Sequence, residues 1–425
     1  MFARRTEWPL EPNALTREIE SRRHRGLPVL DLTESNPTRC GFHYDSDAIL
    51  RALASSEALS YQPDPRGLLS ARRAVAAYYA EGGVVLDPEQ IFLTASTSEA
   101  YSYLFRLLAD AGDAVLVPQP SYPLFDFLAG LSDLEIIPYP LTYDAAGWRI
   151  DLEELAARLG GADRTFHFPR ALVVVHPNNP TGSFVHDDQL AGLVDLCVRH
   201  NLALIADEVF LDYDFAAAAS PEEGTASNRA RSHAGLESAP SFTLSGLSKI
   251  AALPQMKLAW IVVSGPQEVR ARALARLEII ADTYLSVSGP VASALPDLLE
   301  TRRVLQPQIM LRVRQNLAEL DRQLGCDSQV SRLQVEGGWY AVLRLLAPSR
   351  SVRGSNQQGP PVEEAQLADD ELSVEVARTD GVLVHPGHFY GFASEGHFVL
   401  SLINPSGAFS DGVHKLLAHL EARPS

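Results

Sequence analysis

A chain of 425 residues is long enough for two or three domains, taking roughly 150 residues for each. Hydrophobic residues make up 46% and charged residues 21%, values that exclude global disorder and fibrous repeats. With 36 Lys and Arg against 53 Asp and Glu, the net charge of −17 speaks against nucleic acid or an anionic membrane as the main partner, since phosphate binding needs the opposite sign.

In chain order, Pro12 to Arg25 reads as an amphipathic helix, followed by a short strand around Val29 to Leu32. Leu68 to Ala80 and Ser98 to Ala109 are helical in pattern. A strand–helix alternation follows through AVLVPQP, LEIIPYP, ALVVVHPNNP, LALIADEVF, FTLSGLS and LAWIVVS. Near-continuous apolar strands separated by helices predict a largely parallel sheet covered on both faces. Gln267 to Leu285 and Ala292 to Gln323 are helical, and GGWYAVLRLL, GVLVHPG and HFVLSLI are strands of a smaller α/β region. Two stretches, 216–240 and 347–366, have loop composition and are expected at the surface. Cys40, Cys197 and Cys326 are too few and scattered for a disulfide framework or a zinc site, and no metal is expected. The two arginines near the start precede no apolar run, and no run reaches the ~20 residues of a membrane span, so a cytoplasmic protein is expected.

Chemistry concentrates at the predicted strand ends. In IFLTASTSEA, a strand ends near Thr94 and a helix begins among Ser96, Thr97 and Ser98, whose hydroxyls and unpaired N–H groups suit an anion; a plain helix cap is the alternative. Asn178 and Asn179 follow a buried strand in a tight turn, where open α/β sheets bind ligands. Asp207 and Glu208 end the next strand, as a solvated strand end or as a partner for a cationic ring nitrogen. Lys249 sits in a small-residue turn after FTLSGLS, where a desolvated lysine can lose its proton and attack a carbonyl to form a Schiff base.

Taken in order, YQPDPRGLLSARRAVAAYY, STSEA, PSYPLF, HPNNPTG, ADEV, LSK, GGWYAVL and GVLVHPGHFYG resemble the class I/II aminotransferase family, pyridoxal-phosphate enzymes of fold type I, aspartate aminotransferase-like, over about residues 28 to 420. The resemblance implies an α/β fold: a large domain with a mostly parallel sheet covered by helices, plus a smaller α/β domain built from both termini. The expected division is an N-terminal segment 1–45 that covers the active site, a cofactor-binding domain 46–290 and a small domain 291–425. It implies pyridoxal 5′-phosphate on Lys249, the catalytic residue, with Asp207 on the ring nitrogen, Asn179 on the phenolate oxygen and Tyr122 stacked on the ring. Ser96, Thr97, Ser98, Ser245, Ser248 and Lys257 would hold the cofactor, its phosphate above all, and Tyr61 would reach the phosphate of a neighbouring subunit, so a homodimer is expected. Asn36, and Arg39 three residues on, are the candidate substrate contacts.

The chain also departs from the family pattern. Phe210 stands where a Tyr donates to the phenolate oxygen, with Tyr213 as a possible substitute donor; Gly246 replaces a Ser, and Lys257 replaces an Arg whose bidentate fork is thereby lost. In HFVLSLINP, Val399 and Leu400 occupy the place of the carboxylate-binding Arg. The activity implied is transfer of an amino group from a donor to a keto acceptor through pyridoxamine phosphate. A lyase or decarboxylase of the same fold is the alternative. A non-catalytic cofactor-binding regulator is a third reading, disfavoured by the acidic charge and by a fold that begins near residue 28.

Overall fold

The structure is a computed structural model that describes residues 1–160, 168–216, 231–285, 287–325, 328–346 and 362–422, without the side chains of 362–368. After a short β1 (Leu30–Asp31), the apolar runs form β2 (Ile91–Thr94), β3 (Ala114–Gln119), β4 (Glu135–Asp144) and β5 (Gly147–Ile150). They continue as β6 (Pro169–Val175), β7 (Ala203–Asp207), β8 (Ser241–Gly246) and β9 (Ala259–Ser264). Among the described residues, β2 to β9 form one sheet of eight strands in the order β2-β9-β8-β7-β6-β3-β4-β5.

Alternating side chains serve two cores. Val115, Val173, Ile205 and Phe242 face the helices Thr97–Leu108 and Gln267–Tyr284, while Leu116, Leu172, Val174 and Leu204 face the helix Asp187–His200. Both faces are dry, which is why these strands read as continuous apolar runs rather than alternating ones. The central pairings of β4, β3, β6, β7 and β8 are parallel, as expected. The edges are antiparallel: β5 returns along β4, and β9 lies between β8 and β2. Residues 247–258, which join β8 to β9, are taken up by the lysine turn and reverse the chain instead of crossing over.

The second sheet comprises β10 (Val330–Arg332), β11 (Tyr340–Leu345), β13 (His385–Pro386) and β14 (His397–Ser401), all antiparallel, in the order β10-β11-β14-β13. The remaining strand, β12 (Val382–Leu383), pairs in parallel with β1. Leu32 and Cys40 are buried in one cluster with Trp339, Phe398, Leu400 and Phe409, so the N-terminal segment is part of the small-sheet core. The helical stretch expected over 292–323 is two helices, Gly289–Glu300 and Arg302–Gln323. The first packs on helices Ser46–Leu53 and Leu69–Glu81, in the cluster that holds Trp260 of the large sheet.

Of the two expected surface loops, 217–230 and 347–361 lie outside the described residues, as does Cys326. The end of the first is not at the surface: His233, Ala234 and Ala239 are buried, because Glu208 inside the fold draws in the backbone and ring of His233. The second gives way at Val362 to the helix Val362–Asp380.

Candidate active site

The parallel strands end together, and the turns beyond them carry the polar residues singled out in the sequence. Asp207 is the last residue of β7 and is buried. Its Oδ1 accepts from the Val209 N–H at 3.2 Å and its Oδ2 from the Tyr101 hydroxyl at 3.1 Å. Burial pushes the carboxyl up to about 6, against those two hydrogen bonds, which hold it down. No cation forms an ion pair with it among the described residues, so a cationic N–H would satisfy a carboxylate that the fold leaves short of charge.

Lys249 lies in the single turn Leu247–Ile250 after β8. Its Nζ sits 4.8 Å from the ring centre of Trp339 and 5.3 Å from that of Phe210. Burial pulls its ammonium down to about 8, with Asp207 acting in the opposite direction. A neutral, nucleophilic amine is therefore within reach near neutral pH. Gly246 precedes this turn where β8 and β9 approach closely: a Cβ would lie 2.8 Å from the Cβ of Ala259, so the serine of the family pattern has no room here.

The two asparagines divide their work. Asn178 ties the turn down: its amide donates to the Pro120 carbonyl at 3.1 Å and the Thr181 hydroxyl at 2.9 Å, and its oxygen accepts from Ser121 at 2.9 Å. Asn179 is buried, yet its Oδ1 has no hydrogen-bond partner. An amide oxygen kept dry and unpaired at a strand end is an acceptor awaiting a donor. Ser121 leads directly to Tyr122, which packs edge-on to Phe125 at 6.0 Å; burial, then the nearby Asp207 charge, pushes its phenol up to about 12.

Ser96 caps the helix Thr97–Leu108 by accepting from the Glu99 N–H at 3.1 Å, and Glu99 returns the bond to the Ala95 N–H at 2.6 Å. Thr97 and Ser98 are half-buried at the same helix start. Tyr101, one turn further on, is the donor to Asp207, so a single helix joins the hydroxyl cluster to the buried carboxylate. Sequence reasoning passed over Tyr101; the available signal was its place one turn beyond the hydroxyls on the buried face. Trp339 beneath Lys249 was inside a noted motif but was given no role.

Other candidates stand differently. Ser245 is buried and its hydroxyl donates to the Glu208 carbonyl at 3.4 Å, while Ser248 beside Lys249 is half-buried. Lys257 is exposed, in a left-handed conformation with φ +52°. Tyr61 is 78% exposed and lines an open cavity with Gln62 and Leu285. Asn36 spends its oxygen on the Thr38 N–H and hydroxyl, at 3.1 and 2.8 Å. The Arg39 side chain is 74% exposed and lies 3.8 Å from Glu34. Tyr213 directs its hydroxyl to the Lys249 carbonyl at 2.7 Å, which removes it as a substitute for the donor missing at Phe210. Val399 is 1% exposed, packed among Trp148, Val342, Tyr390 and Phe392.

The profile of the family "Aminotransferase class I and II" matches residues 28–402. The chain belongs to that family. Among curated relatives, alanine aminotransferase of Mycobacterium tuberculosis is 32% identical over 288 residues, 65% of this chain and 61% of that protein, so the match spans under two thirds of the relative's length. Glutamate-pyruvate aminotransferase AlaA of Haemophilus influenzae is 24% identical over 425 residues, covering 97% of this chain and 94% of its own. Among solved structures, alanine aminotransferase from Pyrococcus furiosus superposes with a TM-score of 0.82 at 19% identity, covering all of both chains; it shares the fold. The α/β architecture is thus that of class I and II aminotransferases. No helix among the described residues is long and apolar enough to cross a membrane.

Proposed function

We propose that this protein is a pyridoxal-phosphate-dependent aminotransferase, moving an amino group from an amino donor to a keto acceptor in two half-reactions. The observation that carries the reading is the placement of Lys249, its ammonium pulled down to about 8, just beyond β8, next to the β7 end that carries the buried Asp207, pushed up to about 6 and in no ion pair among the described residues. The buried Asn179 side chain just beyond β6 is a third feature that fits the same cofactor. When bound, pyridoxal phosphate supplies an electron sink for negative charge on the carbon that bears the amino group.

The residues do the rest. Asp207 keeps the ring nitrogen protonated, and Tyr101 keeps Asp207 ionised and aimed. Asn179 would donate its amide N–H to the phenolate oxygen, and Tyr122 would stack on the ring. Ser96, Thr97, Ser98, Ser248 and Lys257 hold the phosphate, with Ser245 supporting the strand end beside them. Lys249 would hold the cofactor through its Nζ, and that nitrogen would then move a proton to and from the substrate carbon. Tyr61 completes the site of a second copy in a homodimer, consistent with its exposure. Residues 1–45 and 291–425 act as the smaller domain and cover, a division supported by the β1–β12 pairing, except that the helix Gly289–Glu300 packs with the large sheet. Asn36 and Arg39 border the substrate from that cover. The setting is cytoplasmic.

The test is a spectrum of purified protein titrated with a panel of amino donors, followed by recovery of the cofactor. Stoichiometric pyridoxamine phosphate supports transamination. Release of ammonia or carbon dioxide with the aldehyde form retained identifies a lyase or decarboxylase instead.

A further inference from the structure

Position 399 holds a buried valine, yet the same face of the small sheet carries an arginine one pair further along. In the β11–β14 register, Val342 opposes Val399 and Arg344 opposes His397. Side chains two apart on a strand share a face, so Arg344 projects beside Val342 toward the large domain. It borders a cavity of about 290 Å³ between the β3 and β4 ends and the loop Gly391–Ser394. That loop fits tightly: Gly391, at φ +80°, leaves only 3.1 Å between a would-be Cβ and Gln119 Nε2.

Among the described residues, no carboxylate pairs with the Arg344 guanidinium. Its Nε is buried without a hydrogen-bond partner, and its nearest ring contact is Tyr143, 5.7 Å from the ring centre. No carboxylate lines the cavity among the described residues. Arg158, the other arginine in the wall, is occupied by Glu154 at 2.9 Å and the Pro138 carbonyl at 2.6 Å. Burial and the Arg344 charge both hold His397 below the usual imidazole range, so it adds no second cation at neutral pH. Trp148 and Phe392 supply flat apolar walls, and Gln119 is three residues from Tyr122. A half-buried guanidinium with a dry, unpartnered Nε, in an acid-free, partly aromatic cavity, is built to be completed by an anion.

We propose that this cavity binds the carboxylate of a small molecule with a flat or elongated apolar body, with Arg344 as the anchor. The cavity wall at Gln119 and Pro120 runs on through Ser121 to Tyr122, which makes the distal carboxylate of the amino-group substrate one source; a separate carboxylate effector is the other. Only the first of these rests on the aminotransferase reading above.

The cofactor-loaded protein is titrated calorimetrically with 3-phenylpropionate, and with 3-phenylpropionamide as the uncharged control. The acid is expected to bind at least tenfold more tightly than the amide. Arg344→Gln should weaken the acid at least tenfold and leave the amide unchanged, and Arg344→Lys should fall between. Equal binding of acid and amide to the unmodified protein overturns the proposal without recourse to any variant, and so does an Arg344→Gln protein that binds the acid normally. Inhibition by 3-phenylpropionate that is competitive with the donor assigns the site to substrate; non-competitive inhibition assigns it to an effector. If no donor aminates the cofactor while the acid still binds through Arg344, the aminotransferase reading falls and the anion site stands.

Discussion

The ends of the large-sheet strands and the facing side of the small sheet are built on opposite plans. At β6, β7 and β8, polar groups are held dry and short of partners: the Asn179 oxygen is unpaired, Asp207 has two neutral donors, and Lys249 Nζ lies over two aromatic rings. On β14, Val399, where the resemblance leads one to expect an arginine, is sealed among Trp148, Val342, Tyr390 and Phe392. The strand-end half of the candidate site keeps its charged groups, and the β14 half is apolar core. On the proposed function, reaction chemistry and substrate choice reside on different sheets and can vary separately.

That contrast can be broken most forcefully at Val399. Val399→Arg puts an unpaired charge into a dry apolar cluster, and a loss of roughly 3–5 kcal/mol in unfolding free energy is expected. Urea denaturation measures it. A stable variant with improved turnover of alanine would mean that the pocket for an α-carboxylate is still present.

Asp207 tests the other side. Its folded-state carboxyl is raised to about 6, above the ordinary carboxylate range, so any stability it lends is present at low pH and is lost as pH rises through 6. In the cofactor-free protein, Asp207→Asn should remove a penalty of roughly 3 kcal/mol at pH 7 and leave stability near pH 4 almost unchanged. The same variant should bind pyridoxal phosphate more weakly. Equal stability gains at both pH values would mean that Asp207 is not strained by its burial.

Much of this was legible before any coordinates. Buried strands announce themselves as apolar runs, and the residues at and just beyond the ends of β6, β7 and β8 fall where parallel sheets bind ligands, so pattern and resemblance together single out Asn179, Asp207 and Lys249, which the structure places there. Antiparallel β9 was not legible, because LAWIVVS is equally apolar in either direction and only the short connection from β8 decides. Burial of His233 was hidden for a related reason: its partner Glu208 is 25 positions away in the chain. Tyr101 and Arg344 act through space across elements distant in sequence, and neither lies in a motif that marks its role. The candidate Arg39 was selected by sequence proximity to Asn36, and its side chain faces solvent and Glu34.

The smallest effect is expected at Phe210, whose ring lies 5.3 Å from that of Trp339 and supplies no hydroxyl. A tyrosine there would donate to the phenolate oxygen and make the cofactor-linked nitrogen give up its proton more readily. In Phe210→Tyr the midpoint of the visible-band pH titration should drop by about one pH unit. An unchanged midpoint would show that the position does not face that oxygen.

The central claim is that the lysine of the short turn after β8 carries the cofactor. Loading the protein with pyridoxal phosphate, reducing it with borohydride and sequencing the labelled peptide by mass spectrometry tests this directly. One modified residue, Lys249, with no label in Lys249→Ala, is the predicted result. Stoichiometric label on Lys257 or on any other lysine, with Lys249 unmodified, would contradict it.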